Sequence, residues 1–600
     1  MEKRPTENSS GEERPFRAHA HDPPETRYYI VWMLPLRAFA LAVLLATAVP
    51  LAVTASLGSA PPTQQIHFTD ITQKAGIRFT HNNGAFGKKF LPETLGPGVA
   101  FIDYDNDGWQ DIFIANGAAW PGHPGSLSTP VLYHNNHDGT FTDVTKKAGL
   151  AIPMYGMGVA VGDYDNDGFD DLFVTAYGQN HLFRNNGNGT FTDVTKKAGL
   201  TTLPELSASA AWVDCDRDGH LDLLVTNYVQ WSPEKDLYCT IDGKTKSYCT
   251  PETYPGSSVR LWRNRGNGTF EDVTKKAGLY DSTSKSLGIA ILDANQDGWP
   301  DIAISDDTQP NKLYINNRNG TFTEQGVAAG IAYSEDGVTR AGMGIDAADY
   351  DRSGYPSLVV TNFSNQMIGL YHNERNGLFV DVAPTSAVGR SSLLTLGFGC
   401  FFFDYDLDGW PDLYVADGHL DDSIERIQQR IHFAEPPHLY HNLAGKGFED
   451  VAASMGQSFD AARVARGAAY GDVNNDGAPD IAITTNAGPA SLFLNQGSTN
   501  HALRMKLIGT KSNRDGIGSE VQVKSATTTQ KQMLRSGSSY LSSSELVLTF
   551  GLGSSTKADT VEVHWPSGAV DRLTNINADQ IITVREGSGL AQAHPLEKRR

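Results

Sequence analysis

The chain has 600 residues and a formal net charge of −20 at pH 7. This acidity argues against nucleic-acid binding, which needs a basic face. The four cysteines include no C-x-x-C pair, so zinc-ribbon and dithiol redox classes are disfavoured as well.

The N-terminal region predicts export. Residues 1–27 are polar and Pro-rich, and we expect them to be disordered. Residues 28–57 are apolar apart from Arg37, and residues 38–57 alone are long enough to span a bilayer. This stretch is either an uncleaved signal anchor, which would make the membrane a partner, or a signal peptide cut after Ala55. Both alternatives place the rest of the chain outside the cytoplasm.

A motif of the form D-x-D-x-D-G-x-x-D, with acidic positions 1, 3, 5 and 9, occurs seven times at intervals of roughly sixty residues. We call these stretches acidic loops 1 to 7, and they span residues 103–111, 163–171, 214–222, 293–301, 349–357, 404–412 and 472–480. Loops 4 and 7 have Asn295 and Asn474 at position 3. Loop 5 departs further, with Ser353 at position 5 and Ser357 at position 9.

The loop chemistry suits a hard cation. Alternate carboxylates supply the oxygen ligands that Ca²⁺ prefers, and the glycine at position 6 permits the positive φ of a sharp turn. An EF-hand is excluded, because its position 12 needs Glu and here it is Ile or Val. Asp, Asn and Gly also favour turns without any metal. Seven copies in register favour calcium, with about six sites and a degenerate seventh in loop 5.

The segments around each loop predict four short strands per repeat, which is typical of propeller blades. The first strand of each repeat is rich in small residues, as in "GMGVAVG", and this suits strands that crowd around a common axis. An F-x-D-V-like strand also occurs seven times. Its first copy, at Phe68, precedes any blade that it could finish, so we predict that it completes the seventh blade and closes the ring.

These residues resemble the FG-GAP/VCBS propellers, as in integrin α-subunits, over residues 66–498. The resemblance implies an all-β fold, a seven-bladed calcium-binding propeller, with side-chain ligands at positions 1, 3, 5 and 9 and a backbone carbonyl at position 7. Carried over by position, the ligands would be Asp103, Asp105, Asp107, Trp109 and Asp111; Asp163, Asp165, Asp167, Phe169 and Asp171; Asp214, Asp216, Asp218, His220 and Asp222; Asp293, Asn295, Asp297, Trp299 and Asp301; Asp349 and Asp351; Asp404, Asp406, Asp408, Trp410 and Asp412; and Asp472, Asn474, Asp476, Ala478 and Asp480.

The longest insertion, which we place between blades 3 and 4, contains Cys239 and Cys249. The short loop with a Gly turn between them allows a disulfide.

Polar residues recur thirteen positions after the first aspartate of the loops, where the second strands end, on the face opposite the metal. Bonding to their own backbone would explain them as turn residues. A polar ring at the channel mouth, walled by aromatic insertions, would instead form a partner site. The candidates are Asn116, Asn227, Asp306, Asn362 and Asp417, with Tyr228, Trp231, Tyr254 and His419 from the insertions.

The C-terminal part predicts a separate β-rich domain at residues 499–586 and a disordered tail at 587–600. The stretches "SNRDGIGSEVQV", "LTFGLG" and "VEVHWPSG" resemble the ASPIC/UnbV domain. A calcium propeller followed by this domain is similar to the cartilage acidic protein-like family.

The sequence contains no G-x-S-x-G, H-E-x-x-H or P-loop signature. We therefore expect an exported, membrane-anchored and calcium-stabilised binding or adhesion scaffold that recognises an extracellular glycan or protein. The alternative is a carbohydrate-active enzyme of the lyase or dehydratase type, because such propellers carry no short catalytic motif.

Overall fold

A computed structural model describes residues 66–597, apart from residues 124, 126, 202, 203 and 527. The predicted disordered segment 1–27 and the predicted anchor 28–57 lie outside the described residues. Within the described part of the chain, no helix is both long and apolar enough to cross a bilayer.

Strand pairing in the larger part of the described chain gives five separate four-stranded antiparallel sheets and one eight-stranded sheet, in which two four-stranded units are joined by pairing of Glu205 and Leu206 with Gly178 and Tyr177. We call the resulting seven four-stranded units blades 1 to 7. Strand β1 (His67–Asp70) belongs to blade 7. Blade 1 contains β2 (Val99–Ile102), β3 (Asp111–Ile114), β4 (Val131–Asn135) and β5 (Phe141–Asp143). Blade 2 contains β6 (Tyr155–Gly162), β7 (Asp171–Gly178), β8 (His181–Asn185) and β9 (Phe191–Asp193). Blade 3 contains β10 (Glu205–Val213), β11 (Asp222–Asn227), β14 (Arg260–Asn264) and β15 (Phe270–Asp272), with a hairpin of β12 (Cys239–Thr240) and β13 (Lys246–Ser247) inserted between β11 and β14.

The other four blades repeat the pattern. Blade 4 contains β16 (Ser286–Leu292), β17 (Asp301–Asp306), β18 (Lys312–Asn316) and β19 (Phe322–Glu324). Blade 5 contains β20 (Gly342–Ala348), β21 (Ser357–Asn362), β22 (Gly369–Asn373) and β23 (Phe379–Asp381). Blade 6 contains β24 (Gly397–Phe403), β25 (Asp412–Asp417), β26 (His438–Asn442) and β27 (Phe448–Asp450). Blade 7 contains β28 (Ala465–Gly471), β29 (Asp480–Thr485) and β30 (Ser491–Gln496), followed by β1 as its fourth strand.

Within the described residues, the α-helices are single turns that follow the fourth strands of their blades, and short 3-10 turns occur elsewhere. They are α1 (Thr195–Ala198), α2 (Thr274–Ala277), α3 (Gly326–Ala329) and α4 (Ala387–Ser391). The first three end at a glycine in the left-handed conformation, which is the usual way to terminate a helix.

The predicted all-β architecture and the predicted role of the N-terminal strand are confirmed. The innermost strands of the blades contact one another in a closed cycle from β2 through β6, β10, β16, β20, β24 and β28 back to β2. Strand β1 pairs antiparallel with β30, with His67 opposite Gln496 and Asp70 opposite Phe493. Phe68 on β1 is 2% exposed and stacks on Phe459 with ring centroids 4.7 Å apart. The first described strand therefore closes the ring.

The C-terminal module (residues 499–597) consists of two four-stranded sheets. One sheet has the order β34-β31-β37-β38 and the other β33-β32-β35-β36. The strands are β31 (His501–Ile508), β32 (Glu520–Lys524), β33 (Thr529–Met533), β34 (Leu548–Gly553), β35 (Lys557–His564), β36 (Val570–Asn577), β37 (Gln580–Arg585) and β38 (Gly589–Pro595).

One expectation about this module is wrong. The tail 587–600 was predicted to be disordered, yet its described part forms β38, which pairs with β37 although it is almost wholly exposed. Backbone pairing at the sheet edge, not an apolar side-chain pattern, orders it. The module has a hydrophobic core of its own, which includes Val521, Val561 and Trp565, and it belongs with the propeller to one compact unit, Thr63–Arg600.

Side chains and backbone of the module contact the acidic loops directly. The Asp515 carboxylate accepts a hydrogen bond of 2.7 Å from the backbone of Asp163 in loop 2. Lys506 lies 3.5 Å from Asp103 in loop 1, and Arg504 lies 3.2 Å from Asp472 in loop 7. The loop face of the propeller is therefore an internal interface.

Residues 535–547, between β33 and β34, enter the centre of the propeller, and we call them the channel segment. The backbone of Ser539 pairs with that of Ile345 in blade 5, while its hydroxyl donates to Ala468 of blade 7 and accepts from Cys400 of blade 6. Further hydrogen bonds join the segment to Val99, Phe101, Val159, Val161, Ser209, Trp212 and Tyr470 on the inner strands of blades 1, 2, 3 and 7.

The channel segment explains why the inner strands carry small residues. A Cβ atom at Gly98 would lie 1.9 Å from the carbonyl oxygen of Leu541, and one at Gly467 would lie 2.6 Å from the hydroxyl of Ser542. Glycine is needed at these places because the backbone of the segment lies against the strand. The channel is therefore filled by the chain itself.

Candidate metal loops and the opposite face

Each acidic loop joins the first strand of its blade to the second. The glycine at position 6 has positive φ in every loop, from 83° at Gly298 to 95° at Gly168, as the sequence predicts. Its N–H donates to Oδ2 of the position 1 aspartate, for example at 2.6 Å from Gly168 to Asp163. The loop backbone therefore fixes the first carboxylate before any ion binds.

The aspartates at position 9 hold the loop to its own blade. In loop 2 the Asp171 carboxylate accepts hydrogen bonds from the backbone of Asn185 at 2.7 Å and of Tyr164 at 3.2 Å. Asp111, Asp222, Asp301, Asp412 and Asp480 repeat this arrangement. Position 9 thus has a structural role in addition to the predicted ligand role.

A ring of asparagines that the sequence analysis missed links each loop to the next blade. The side-chain amide of Asn185 in blade 2 donates to the carbonyl of Tyr104, at position 2 of loop 1, at 2.7 Å. The same bond to the preceding loop is made by the equivalent residues Asn135, Asn264, Asn316, Asn373, Asn442 and Asn495. The signal in the sequence was an asparagine at the last or, in blade 7, the second-last position of every third strand, where an asparagine is also expected in a turn.

Several loop carboxylates have an oxygen that is buried and accepts no hydrogen bond from any described residue. These atoms are Oδ1 of Asp103, Asp105, Asp165, Asp216 and Asp404, in loops 1, 2, 3 and 6. In the same loops, ligand atoms of three acidic or histidine side chains lie within 4.8 Å of one another. Buried polar atoms normally have partners. A cation at these positions would supply the missing one.

The electrostatics of the loops support the same conclusion. Burial raises the pKa of Asp111 to about 9 and that of Asp412 to about 8. For Asp404, burial followed by the charges of Asp406 and Asp412 raises the pKa well above its usual range. Carboxylates held this close resist ionisation unless a positive charge lies among them.

The residues at position 7 contact their own loops through the backbone N–H. Trp109, Phe169, His220, Trp299, Trp410 and Ala478 each donate their N–H to the position 5 carboxylate. Their carbonyl groups as calcium ligands stay a prediction.

Basic side chains contact the outer oxygens of several loops. Arg184 forms ion pairs with Asp165 and, at 2.5 Å, with Asp167, while Oδ1 of Asp165 stays without a donor among the described residues. In loop 5, Ser353 replaces a carboxylate and His372 bonds to Asp351 at 2.9 Å. That contact satisfies one of the two remaining acids and is consistent with a degenerate site.

The opposite face of the propeller differs from the prediction. All nine candidates for partner binding are buried, with exposures from 0% to 6%. An apolar cluster that includes Phe90, Trp120 and Tyr540 closes this end of the channel. The expected open polar ring is therefore wrong, because aromatic side chains cover the polar groups.

Most of these buried groups have internal partners. The Asn116 side chain accepts from the backbone of Asn82, and the Asn227 side chain donates to the carbonyl of Ser258. Tyr228 donates to Asp307 at 2.5 Å, and Trp231 donates to Asp236 at 3.0 Å. Tyr254, Asp306 and Asn362 are likewise hydrogen-bonded. By contrast, both carboxylate oxygens of Asp417 and Nε2 of His419 have no partner among the described residues.

The cysteine insertion lies within blade 3, between its second and third strands, and not between blades 3 and 4 as predicted from the sequence. Its Cys239 and Cys249 sulfurs are 2.04 Å apart, as a disulfide. Beside the insertion is an open groove of about 910 Å³, lined by residues that include Tyr177, Trp231 and Arg260.

Comparison with known families agrees with the motifs. The FG-GAP-like repeat family matches residues 103–174, 163–225, 240–304, 293–360 and 349–415. The family described as ASPIC and UnbV matches residues 509–591. The predicted combination of the two is confirmed.

Curated relatives match most of the chain. Cartilage acidic protein 1 of Mus musculus is 24% identical over 538 residues, covering 85% of this chain and 76% of the relative. Its Xenopus tropicalis counterpart is 24% identical over 507 residues, covering 80% and 71%. Among solved structures, an Agrocybe aegerita lectin that recognises non-reducing terminal N-acetylglucosamine is 15% identical, covers 66% of this chain and 87% of its own, and has a TM-score of 0.36.

Proposed function

We propose that this chain, an FG-GAP-like repeat propeller with a C-terminal ASPIC and UnbV domain, is a calcium-stabilised extracellular binding scaffold. The observation that carries the proposal is the set of buried carboxylate oxygens in loops 1, 2, 3 and 6 that have no donor among the described residues. Ca²⁺ takes six to eight oxygen ligands, and these loops offer carboxylates at alternate positions. The positive charge of the ion would stabilise the ionised carboxylates, a form that burial otherwise disfavours.

Several positions of each loop would contribute to binding the ion. The position 1 aspartate is fixed by the glycine N–H, and the carboxylates at positions 3 and 5 approach from the same turn. In loop 2, Arg184 forms an ion pair with Oδ2 of Asp165, and Oδ1 of Asp165, which has no donor among the described residues, would bind the ion. The acidic motif positions of the loops hold 24 aspartates, and six bound Ca²⁺ would reduce the net charge from −20 to −8.

Export and anchoring form part of the proposal. The disulfide Cys239–Cys249 suits an oxidising compartment, and millimolar calcium is available outside the cell. The apolar stretch of residues 28–57 would anchor the propeller to the membrane with its blades outside the cytoplasm.

The groove beside blade 3 is the surface that best suits a partner. Its lining combines the aromatic side chains of Tyr177 and Tyr280 with the charged pair Arg260 and Glu205, which are 2.6 Å apart. Aromatic faces beside fixed polar groups bind sugar rings well. We therefore infer a glycan as the partner. A protein partner is the alternative, and the matched family descriptions name no catalytic activity.

Thermal unfolding with and without calcium tests the metal. At about ten times Kd one site adds about 1.4 kcal/mol, so six sites add about 8 kcal/mol. We expect a chelator to lower the melting temperature, Ca²⁺ to restore it, and Mg²⁺ to restore it poorly. Asp165→Ala should destabilise more than Asp351→Ala, because loop 5 has lost two of its acids. An unchanged melting temperature after chelation would refute the calcium proposal.

A glycan array with the calcium-loaded exported part tests the groove. Tyr280 is 53% exposed, so Tyr280→Ala should reduce binding at least tenfold without changing the melting temperature. Tyr333→Ala, at a residue 39% exposed and outside the groove lining, is the matched control. Equal effects of the two substitutions, or binding to proteins alone, would contradict the assignment. Trp231 is unsuitable for this test because it packs against Phe90 and Trp120.

A further inference from the structure

We propose that the outer edge of blades 7, 1, 2 and 3 binds an acidic polysaccharide, a glycan chain with carboxylate or sulfate groups, along a row of exposed lysines. This row, which we call the lysine arc, consists of Lys74, Lys146 and Lys147, Lys196 and Lys197, and Lys275 and Lys276. The inference rests on the proposed function as a glycan-binding scaffold and deepens it, because it names the chemical class of the glycan and a second contact surface.

The lysines occupy one repeated position of the blades. The outermost strands of blades 1, 2 and 3 continue into the sequence "DVTKKAGL", and that of blade 7 continues into "DITQKAGI". The equivalent segments of blades 4, 5 and 6 are "EQGVAAGI", "DVAPTSAV" and "DVAASMGQ", which contain no lysine. At this position the positive charge is therefore confined to four consecutive blades of the closed ring.

The turn that carries each pair holds the lysines in solvent. In blade 2, Thr195 and Ala198 are buried, while Lys196 and Lys197 between them are exposed. The N–H and hydroxyl of Thr195 donate to the Asp193 carboxylate at 3.0 and 2.6 Å, and its hydroxyl accepts from the backbone of the third strand at 2.8 Å. Blades 7, 1 and 3 repeat these bonds. The lysines therefore extend from a fixed backbone.

Nearby acids do not neutralise the lysine arc. An aspartate lies three positions before each pair, but besides bonding its own threonine Asp193 lies 2.8 Å from His181, and Asp272 lies 2.9 Å from Arg260. No lysine of the arc forms an ion pair with a residue in the described part of the chain. The ammonium group is a compact charge that can approach carboxylate or sulfate oxygens from several directions. These cations are therefore available to an anionic ligand.

The turns of neighbouring blades are connected, so the lysines follow one another along the edge. The Phe141 N–H, at the start of the outermost strand of blade 1, donates to the Ala75 carbonyl in the turn of blade 7 at 2.7 Å. The Phe191 N–H of blade 2 donates to the Ala148 carbonyl in the turn of blade 1 at 2.8 Å. The turn of blade 2 lies against Phe270 of blade 3. The four turns thus form one continuous series.

The lysine arc ends at the groove beside blade 3. Lys275 and Lys276 line that groove, and Nζ of Lys275 lies 4.6 Å from the ring centroid of Tyr280. An aromatic face binds a sugar ring, and a cation beside it suits an acidic group on that ring. A flexible chain bound in the groove can continue along the other lysines. This continuity favours a glycan over a nucleic acid or an anionic membrane.

The net charge of −20 does not exclude a polyanion here, because charges act locally in salt solution. At physiological ionic strength, exposed charges are largely screened beyond about 8 Å. The acidic loops are contacted by the C-terminal module, as at Asp163 and Asp472, and lie on the loop face rather than beside the arc. A polyanion at the outer edge would therefore interact mainly with the lysines.

Comparing dextran sulfate with dextran tests the proposal, because the two polymers share a backbone and differ in charge. We expect the full chain with bound Ca²⁺ to bind dextran sulfate roughly tenfold or more tightly than dextran, since several exposed ion pairs add together. Added salt should weaken this binding. Equal affinity for the two polymers would overturn the proposal.

Two double variants separate the groove from the rest of the lysine arc. Lys275→Gln with Lys276→Gln should weaken the binding of short sulfated oligosaccharides and of long chains alike, by about threefold to tenfold. Lys146→Gln with Lys147→Gln should weaken the binding of long chains by a similar factor but not that of short ones, because a short chain does not extend beyond the groove. Affinity that does not rise with chain length in wild type would contradict the arc.

Lys446→Gln with Lys524→Gln is the matched control. It removes the same charge from two exposed lysines outside the arc and should leave both affinities unchanged. Equal losses in all three double variants, or equally tight binding of double-stranded DNA or of phosphatidylserine vesicles, would overturn the assignment. Binding of neutral glycans that Tyr280→Ala weakens and the lysine variants do not would overturn this inference alone. Failure to bind any glycan would contradict the proposed glycan partner as well.

Discussion

Removing the Tyr540 side chain tests whether the channel segment is part of the propeller core. Tyr540 is 0% exposed and its ring lies 5.0 Å from that of Phe398 on the inner strand of blade 6. Truncating a large buried aromatic side chain costs about 3–5 kcal/mol, so we expect Tyr540→Ala to destabilise the protein by that amount.

The size of the melting shift depends on what unfolds together. The entropy of unfolding is about 2.1 cal/mol/K per residue, so the melting temperature of a cooperative unit of roughly 530 residues would fall by about 3–5 °C. A C-terminal module of roughly 100 residues that unfolds alone would lose about 15–25 °C. Because the segment bonds to inner strands of both early and late blades, we expect the small shift in one shared transition.

Differential scanning calorimetry in saturating Ca²⁺ is the assay. Val570→Ala, at a residue 53% exposed on β36, is the control and should leave the melting temperature nearly unchanged. Two resolved transitions, with only the smaller one moved by Tyr540→Ala, would refute the claim that the segment joins the two parts.

Three further outcomes are expected from chemical denaturation. Asn185→Ala should lower the free energy of unfolding by about 2–4 kcal/mol, because it leaves one carbonyl in each of two loops without its donor. Asn186→Ala, at an exposed neighbour, should lower it by less than about 0.5 kcal/mol. Equal losses would contradict the role of the asparagine ring. Phe68→Ala should cost about 3–5 kcal/mol, because β1 closes the ring, and protease resistance equal to wild type would argue against closure. Burial raises the pKa of Glu435 to about 9, so its contribution to stability is greatest at low pH and is lost as pH rises toward 9. The free energy of unfolding of Glu435→Gln, relative to that of wild type, should therefore rise between pH 5.5 and 8 by up to about 1.4 kcal/mol per pH unit. A difference that does not change with pH would exclude this effect.

Local features could be predicted from the sequence because they depend on neighbouring residues. The acidic motif fixed the register of the loops, and the glycine at position 6 has the positive φ that its spacing requires. The surplus strand at Phe68 indicated ring closure because blade 7 otherwise lacks a fourth strand.

Features that depend on distant contacts could not be predicted. The channel segment is serine-rich and has no hydrophobic period, yet Ser539 bonds to strands about 70 to 190 residues away. The prediction of an open polar ring was wrong for a similar reason. Trp120 and Tyr540 come from separate parts of the chain and together cover it. Strand β38 was not predicted, because an exposed edge strand shows no alternation of apolar and polar residues.

Counting bound calcium tests the central claim most directly. Stripped protein would be dialysed in zinc-free buffer with millimolar Ca²⁺ and excess Mg²⁺, and the bound Ca²⁺ determined by elemental analysis. We predict four to six Ca²⁺ per chain, because loops 1, 2, 3 and 6 have buried oxygens without donors among the described residues and loops 4 and 7 retain most of the acidic positions. Fewer than one Ca²⁺ per chain, or full replacement of Ca²⁺ by Mg²⁺, would contradict the account.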